Sequence, residues 1–90
     1  MQVKLETAGE IGQWIRAVRK SQGMRQDDLA ALVGASHVFL GDVERGKESV
    51  QWGRLFSVLR ELGIEVRVDL PLDRTPDAGS PGAHLEPAAA

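Results

Sequence analysis

Ninety residues carrying a formal net charge of −2 and no cysteine fit one small domain and exclude disulfides and thiolate metal sites. The basic and acidic side chains of residues 1–72 balance at ten each, so total charge argues neither for nor against a nucleic-acid partner, and placement has to decide. No apolar run spans a membrane and no signal-peptide pattern opens the chain; a cytoplasmic protein with no cofactor is expected, and His37 and His84 make a poor metal set.

"MQVKLE" alternates weakly through Val3 and Leu5 and offers at most an edge strand. "TAGE", Thr7 to Glu10, has the spacing of a capping box. Ile11, Trp14, Ile15 and Val18 follow at helical spacing and Gly23 offers a left-handed stop, which predicts a first helix over 8–22. Gln26, Asp27 and Asp28 place acids at a second helix start. Leu29, Leu32 and Val33 form its apolar stripe up to Gly34. Ser36 can cap a third helix with Leu40 and Val43 inward and Gly46 behind it. Ser49 can cap a fourth, with Leu55, Phe56, Leu59 and Leu62 inward before Gly63.

The period then changes from 3.6 to 2. Ile64, Val66, Val68 and Leu70 fall on one face, and Glu65, Arg67 and Asp69 on the other, which is a strand signal. A lone strand exposes an apolar edge, and the economical partner is its own copy in a second chain, paired antiparallel about a two-fold axis. A register centred on Val66 sets Glu65 against the second copy's Arg67, whereas one centred on Arg67 opposes two arginines. Burying the four apolar side chains would contribute roughly 6–12 kcal/mol per subunit as an upper figure, at ~1.5–3 each. The plainer alternative is a strand folded back on its own helices. A folding domain over 1–70 is followed by a tail, 71–90, that holds all four prolines and few large apolar groups; such a composition reads as disordered.

"QDDLAALVGASHVFLGDVERG" pairs two short helices through a corner of small residues, Gly34-Ala35-Ser36, which is a helix-turn-helix pattern. With its flanking helices, about 8–63, it resembles the XRE family of phage-repressor-like domains at Arg25, Gln26, Leu29, Ala30, Gly34, Ser36, Leu40, Glu44, Gly46 and Lys47. "ERGKESVQWGRLFSVLRELGIEVRVDLP" looks more narrowly like the HipB-type antitoxins. That resemblance implies a mainly α fold of four helices, a C-terminal strand pairing across a homodimer, and a flexible tail. It also implies two partners, an operator of double-stranded DNA and a HipA-like serine/threonine kinase toxin.

The resemblance further implies roles for individual residues. Gln26 would set its amide on a phosphate; Arg25, standing where relatives often have a capping Thr, loses the cap and offers charge. Arg45 and Lys47 follow the third helix where the loop passes the DNA backbone. Arg19 and Glu44 resemble a buried structural pair. Ser36, His37, Val38 and Asp42 occupy positions that face base edges. His37 can donate to guanine or to a phosphate, Val38 can pack on a thymine methyl and Asp42 can accept from the cytosine amino group. Gly41 lets that helix approach closely, and Phe39 reads as a wedge on the helix shoulder or local packing rather than a base contact. Two such helices about 34 Å apart predict a near-palindromic operator. A stand-alone regulator without a toxin, and a protein-interaction module that has lost DNA, are the competing expectations. Catalysis is excluded by the lack of any triad, carboxylate pair or phosphate loop in the sequence. In the tail, His84 and Leu85 are the candidate anchors for a partner.

Overall fold

The computed structural model describes residues 1–74; most of the 71–90 tail, His84 and Leu85 included, lies outside the described residues. The Thr7 hydroxyl accepts from the Glu10 amide at 3.2 Å, and a Glu10 carboxylate oxygen accepts from the Thr7 amide at 3.0 Å. Two of the four orphan donors at the helix start are thereby satisfied, and α1 runs Ala8–Ser21. After a left-handed Gly23 comes α2, Gln26–Leu32, which has no side-chain cap but two acids in its first turn. The Ser36 hydroxyl accepts from the Phe39 amide at 3.1 Å to open α3, His37–Glu44. The fourth helix, α4, is Trp52–Leu62 and ends on Gly63 at φ +79°.

One face of each helix meets the others around Ile15, Leu29, Ala30, Leu40, Val43, Leu55, Val58, Leu59 and Leu62. Ile11, Val18, Phe39 and Ile64 close the edges of this core. Close packing of α1 on α3 depends on Gly12. A β-carbon there would overlap the Val43 carbonyl oxygen and sit 2.9 Å from that of Glu44.

Several expectations are corrected. The cap of α4 is Gln51, whose side-chain oxygen accepts from the Arg54 amide at 2.8 Å, rather than Ser49. Leu32 is 58% exposed because Leu29 and Ala30 already fill the inward positions of a seven-residue helix. Phe56 is 38% exposed and stacks on the exposed Trp52 at 5.8 Å between ring centroids. Trp14 is exposed to the same degree as Phe56. The inward position unnoticed in α4 is Val58, which completes the 55, 58, 59, 62 stripe.

Among the described residues there is no strand, either in the opening "MQVKLE" or over 64–70. A ladder requires a neighbour, and a single chain offers residues 64–70 none. Ile64 packs on the core, but Val66, Val68 and Leu70 are exposed. The segment therefore does not fold back on its own helices. Glu65 and Arg67 pair with each other at 2.7 Å within the chain.

Candidate nucleic-acid interface

The corner between α2 and α3 is made by Gly34 at φ +69°, a conformation that a β-carbon disfavours. Backbone bonds from Gly34 to Ala31 and from Ala35 to Ala30 close the turn. The Arg54 guanidinium reaches over from α4 to donate to the Gly34 carbonyl. At its other end α3 is held by Gly46, at φ +85°, where a β-carbon would stand 2.7 Å from the Cα of Gly9.

The centre of the arrangement is Glu44. Arg19 donates to it twice, Nε to Oε2 at 2.7 Å and Nη2 to Oε1 at 3.0 Å, while Arg19 Nη1 donates to the Met24 carbonyl at 2.8 Å. Gln26 Nε2 donates to the same Glu44 Oε1 at 3.0 Å. The two charged side chains are 8% and 3% exposed. Burial is the largest single influence on the Glu44 carboxyl and pushes its pKa up. The hydrogen bonds from Arg19 and Gln26, with the charges of Arg19 and Arg16, together outweigh burial and hold the pKa below its ordinary value. Donating to Glu44 raises the Arg19 pKa in turn. One carboxylate thus ties α1, the start of α2 and the end of α3 together, fixing how α3 is presented.

Ser36, His37 and Val38 form the exposed leading edge of α3. The Ser36 hydroxyl is engaged as the cap, and the Phe39 side chain packs against the core. A shallow recess of about 380 Å³ brings His37 together with Arg25, Gln26 and Asp27. In the last turn of α3, Asp42 faces Arg45 and Lys47, which follow the helix, at 2.7 Å and 3.6 Å. Arg25 pairs with Asp27 at 3.3 Å. Gly41 is buried, and the Arg45 guanidinium lies over it, 3.0 Å from where a β-carbon would stand. In this structure, then, Gly41 makes room for Arg45.

The positions picked from the sequence therefore lie in two neighbouring groups, Arg25, Gln26 and His37 at one end of α3 and Asp42, Arg45 and Lys47 at the other. Sequence reading missed the Gln26–Glu44 bond, the Arg54 brace and Gly12. Only Gly12 left a signal, as a small residue inside an otherwise amphipathic helix. No cluster of potential metal ligands occurs among the described residues, and none of their helices is long and apolar enough to cross a membrane.

Residues 15–68 match the helix-turn-helix family model HTH_3. Over 74 residues the chain is 38% identical to an uncharacterized HTH-type transcriptional regulator, y4mF, of Sinorhizobium fredii, covering 82% of this chain and 97% of that one. Among solved structures, a chain of a HipA-HipB-O2-O3 complex superposes with a TM-score of 0.71 over 79% of this chain and 100% of that chain, at 17% identity. The restriction-modification controller protein C.AhdI of Aeromonas hydrophila gives 0.58 at 33% identity, covering 64% of this chain and 84% of that one. The first of these two likenesses is one of fold.

Proposed function

The chain belongs to the helix-turn-helix family HTH_3, and from that premise we propose that it is a dimeric, sequence-specific DNA-binding repressor that also acts as an antitoxin. The observation that carries the DNA-binding reading is the Glu44 junction. It presents Ser36, His37 and Val38 at a fixed angle beside the recess of Arg25 and Gln26. Phosphates position such a helix and base edges specify the sequence. Arg25, Gln26, Arg45 and Lys47 are the phosphate contacts; His37, Val38 and Asp42 read bases, with Ser36 at the helix start. A primary amide carries two hydrogens, and Glu44 accepts one from Gln26, leaving the other for a phosphate oxygen.

Each good base contact is worth only ~1–3 kcal/mol, so one α3 discriminates weakly and two are needed. Exposed Val66, Val68 and Leu70, with half-buried Ile64, supply an apolar strand edge for antiparallel pairing of two copies, which sets two α3 helices on successive turns of a near-palindromic site. The antitoxin reading is supported by likeness of fold to HipB as found with HipA. The partner is then a HipA-like kinase, held on the flanks of the dimer so that α3 stays on DNA, with the operon autoregulated.

Two measurements test these readings separately. Selection of duplexes from a randomised pool should enrich a near-palindrome, bound with a steep loss of affinity between about 50 and 200 mM salt. Failure to enrich any sequence removes the repressor reading. Expression of each neighbouring gene alone and with this chain should give growth arrest that the chain relieves, with a co-purifying complex. No arrest and no complex would leave a stand-alone regulator.

A further inference from the structure

The cations beside the DNA-facing edge of α3 are not free. Arg45 Nη2 stands 2.7 Å from Asp42 Oδ1, and Lys47 Nζ stands 3.6 Å from Oδ2. Backbone geometry builds the arrangement. The Lys47 amide donates to the Asp42 carbonyl at 3.0 Å, and left-handed Gly46 turns the chain back over the end of α3. Buried Gly41 leaves the space in which the Arg45 guanidinium lies. One carboxylate on the reading edge thus holds two positive charges that phosphates would otherwise take.

We propose that Asp42 couples base reading to phosphate binding by exchanging partners. This rests on the DNA-binding reading given above. Opposite a cytosine, the amino group donates to the Asp42 carboxylate and replaces the hydrogen bond that Arg45 supplied. Arg45 and Lys47 then turn to the adjacent phosphates. Opposite guanine or thymine, acceptor oxygens repel the carboxylate; it keeps its two cations, and both phosphate contacts fail to form. Guanine or thymine at that position therefore loses one base contact and two backbone contacts together. Asp42 limits non-specific affinity as well as reading sequence.

The consequence is a salt dependence that differs between right and wrong DNA. Each phosphate neutralised contributes about −0.9 to the slope of log affinity against log salt. For the full-length chain, affinity by fluorescence anisotropy is compared on a duplex selected from a randomised pool and on its scrambled counterpart. The wild-type slope should be steeper on the selected duplex by about 1.8 per subunit, two phosphates' worth. Asp42→Asn removes the charge that holds the cations. It should tighten binding to the scrambled duplex roughly twofold to thirtyfold per subunit, the range for two exposed ion pairs, and bring the two slopes together.

Arg45→Met is the second variant. It leaves the carboxylate in place but removes one of the two cations that Asp42 would release, so the difference between the slopes on the selected and scrambled duplexes should shrink by about 0.9 per subunit. Equal wild-type slopes on the two duplexes would overturn the proposal, as would an Asp42→Asn protein that binds the scrambled duplex no better than wild type. Selective binding with equal slopes removes the exchange and leaves the repressor reading standing. Failure to bind any duplex removes both.

Discussion

Replacing Glu44 with alanine strands the Arg19 guanidinium, whose side chain is 8% exposed and keeps only the Met24 carbonyl as an acceptor. Removing one partner of a buried pair costs about 3–5 kcal/mol, against a total stability of roughly 5–15 kcal/mol for a natural domain. At about 4–8 °C per kcal/mol for a domain of this size, the midpoint of thermal unfolding should fall by about 12 °C or more. Arg19→Ala should lose a similar amount, because it leaves Glu44 with only the Gln26 amide and frees the Met24 carbonyl. The double variant Arg19→Met/Glu44→Leu removes both charges and refills the volume, an exchange that is often close to neutral. It still loses the acceptors for Gln26 Nε2 and the donor for Met24, so its cost should be about 1–2 kcal/mol. With the matching single variants Arg19→Met and Glu44→Leu, each of which leaves its partner charge buried alone and should also lose about 3–5 kcal/mol, the cycle gives a coupling of about 4 kcal/mol or more. Urea unfolding of the four proteins measures it. Single variants losing less than about 1 kcal/mol, or losses that simply add, would refute the account of Glu44 as the junction of three helices.

The same pair has an acid signature whose sign is fixed. The folded Glu44 pKa lies below the ordinary value of 4.5, so the folded state holds fewer protons there than the unfolded chain. The stability contributed is fully present above that ordinary value and is lost as pH falls through the lower, folded one. Glu44→Gln has nothing to titrate, and its stability should fall less steeply over that window. A wild-type and variant decline of equal slope below pH 4.5 would contradict the direction of the shift.

Gly12→Ala should destabilise by about 1–3 kcal/mol, the usual cost of overpacking, because the new β-carbon meets backbone oxygens of Val43 and Glu44, which move only with α3 itself. The variant should also lose DNA affinity, and a melting temperature unchanged from wild type would count against the close α1–α3 crossing. Val66→Asp should give a monomer in sedimentation and weaken binding to a palindromic duplex, with the helical signal retained. A Val66→Asp protein that remains a dimer with unchanged affinity would show that residues 64–70 do not join two copies.

What was legible in the sequence is what short-range chemistry decides. The capping box at Thr7 and Glu10, the Ser36 cap and the left-handed glycines involve neighbours within four residues, so spacing alone exposes them. Spacing and chemistry favour Ser49 as the cap of α4, because hydroxyls are the better caps in general; the helix opens two residues later, on the Gln51 side chain. The bond from Gln26 to Glu44 joins positions 18 apart, and no periodicity encodes it. It exists only once α2 and α3 cross at the angle set by the Gly34 corner. Apolar periodicity likewise could not tell the buried Val58 from the exposed Leu32 and Phe56. It marks a face as apolar without saying whether core, solvent or a second chain lies opposite.

The apolar and acidic character of α3 suits a reader of sequence in a domain that is electrically neutral as a whole. A helix rich in lysine and arginine would attach to any phosphate backbone, because that term carries no sequence information. In this chain Arg19 is committed to Glu44, Arg25 to Asp27, Arg54 to the Gly34 carbonyl, and Arg45 and Lys47 to Asp42. Surface pairs such as those of Arg25, Arg45 and Lys47 are worth at most about 1 kcal/mol each, so a correctly placed phosphate can still compete for them. The buried Arg19–Glu44 pair is not surrendered in this way. The division is physical: the pair that shapes the site is dry and strong, and the pairs proposed to face DNA are wet and weak. On the proposed reading, affinity for arbitrary DNA is thereby kept low, and a second copy of α3 on the same duplex becomes the means of raising it where the bases fit.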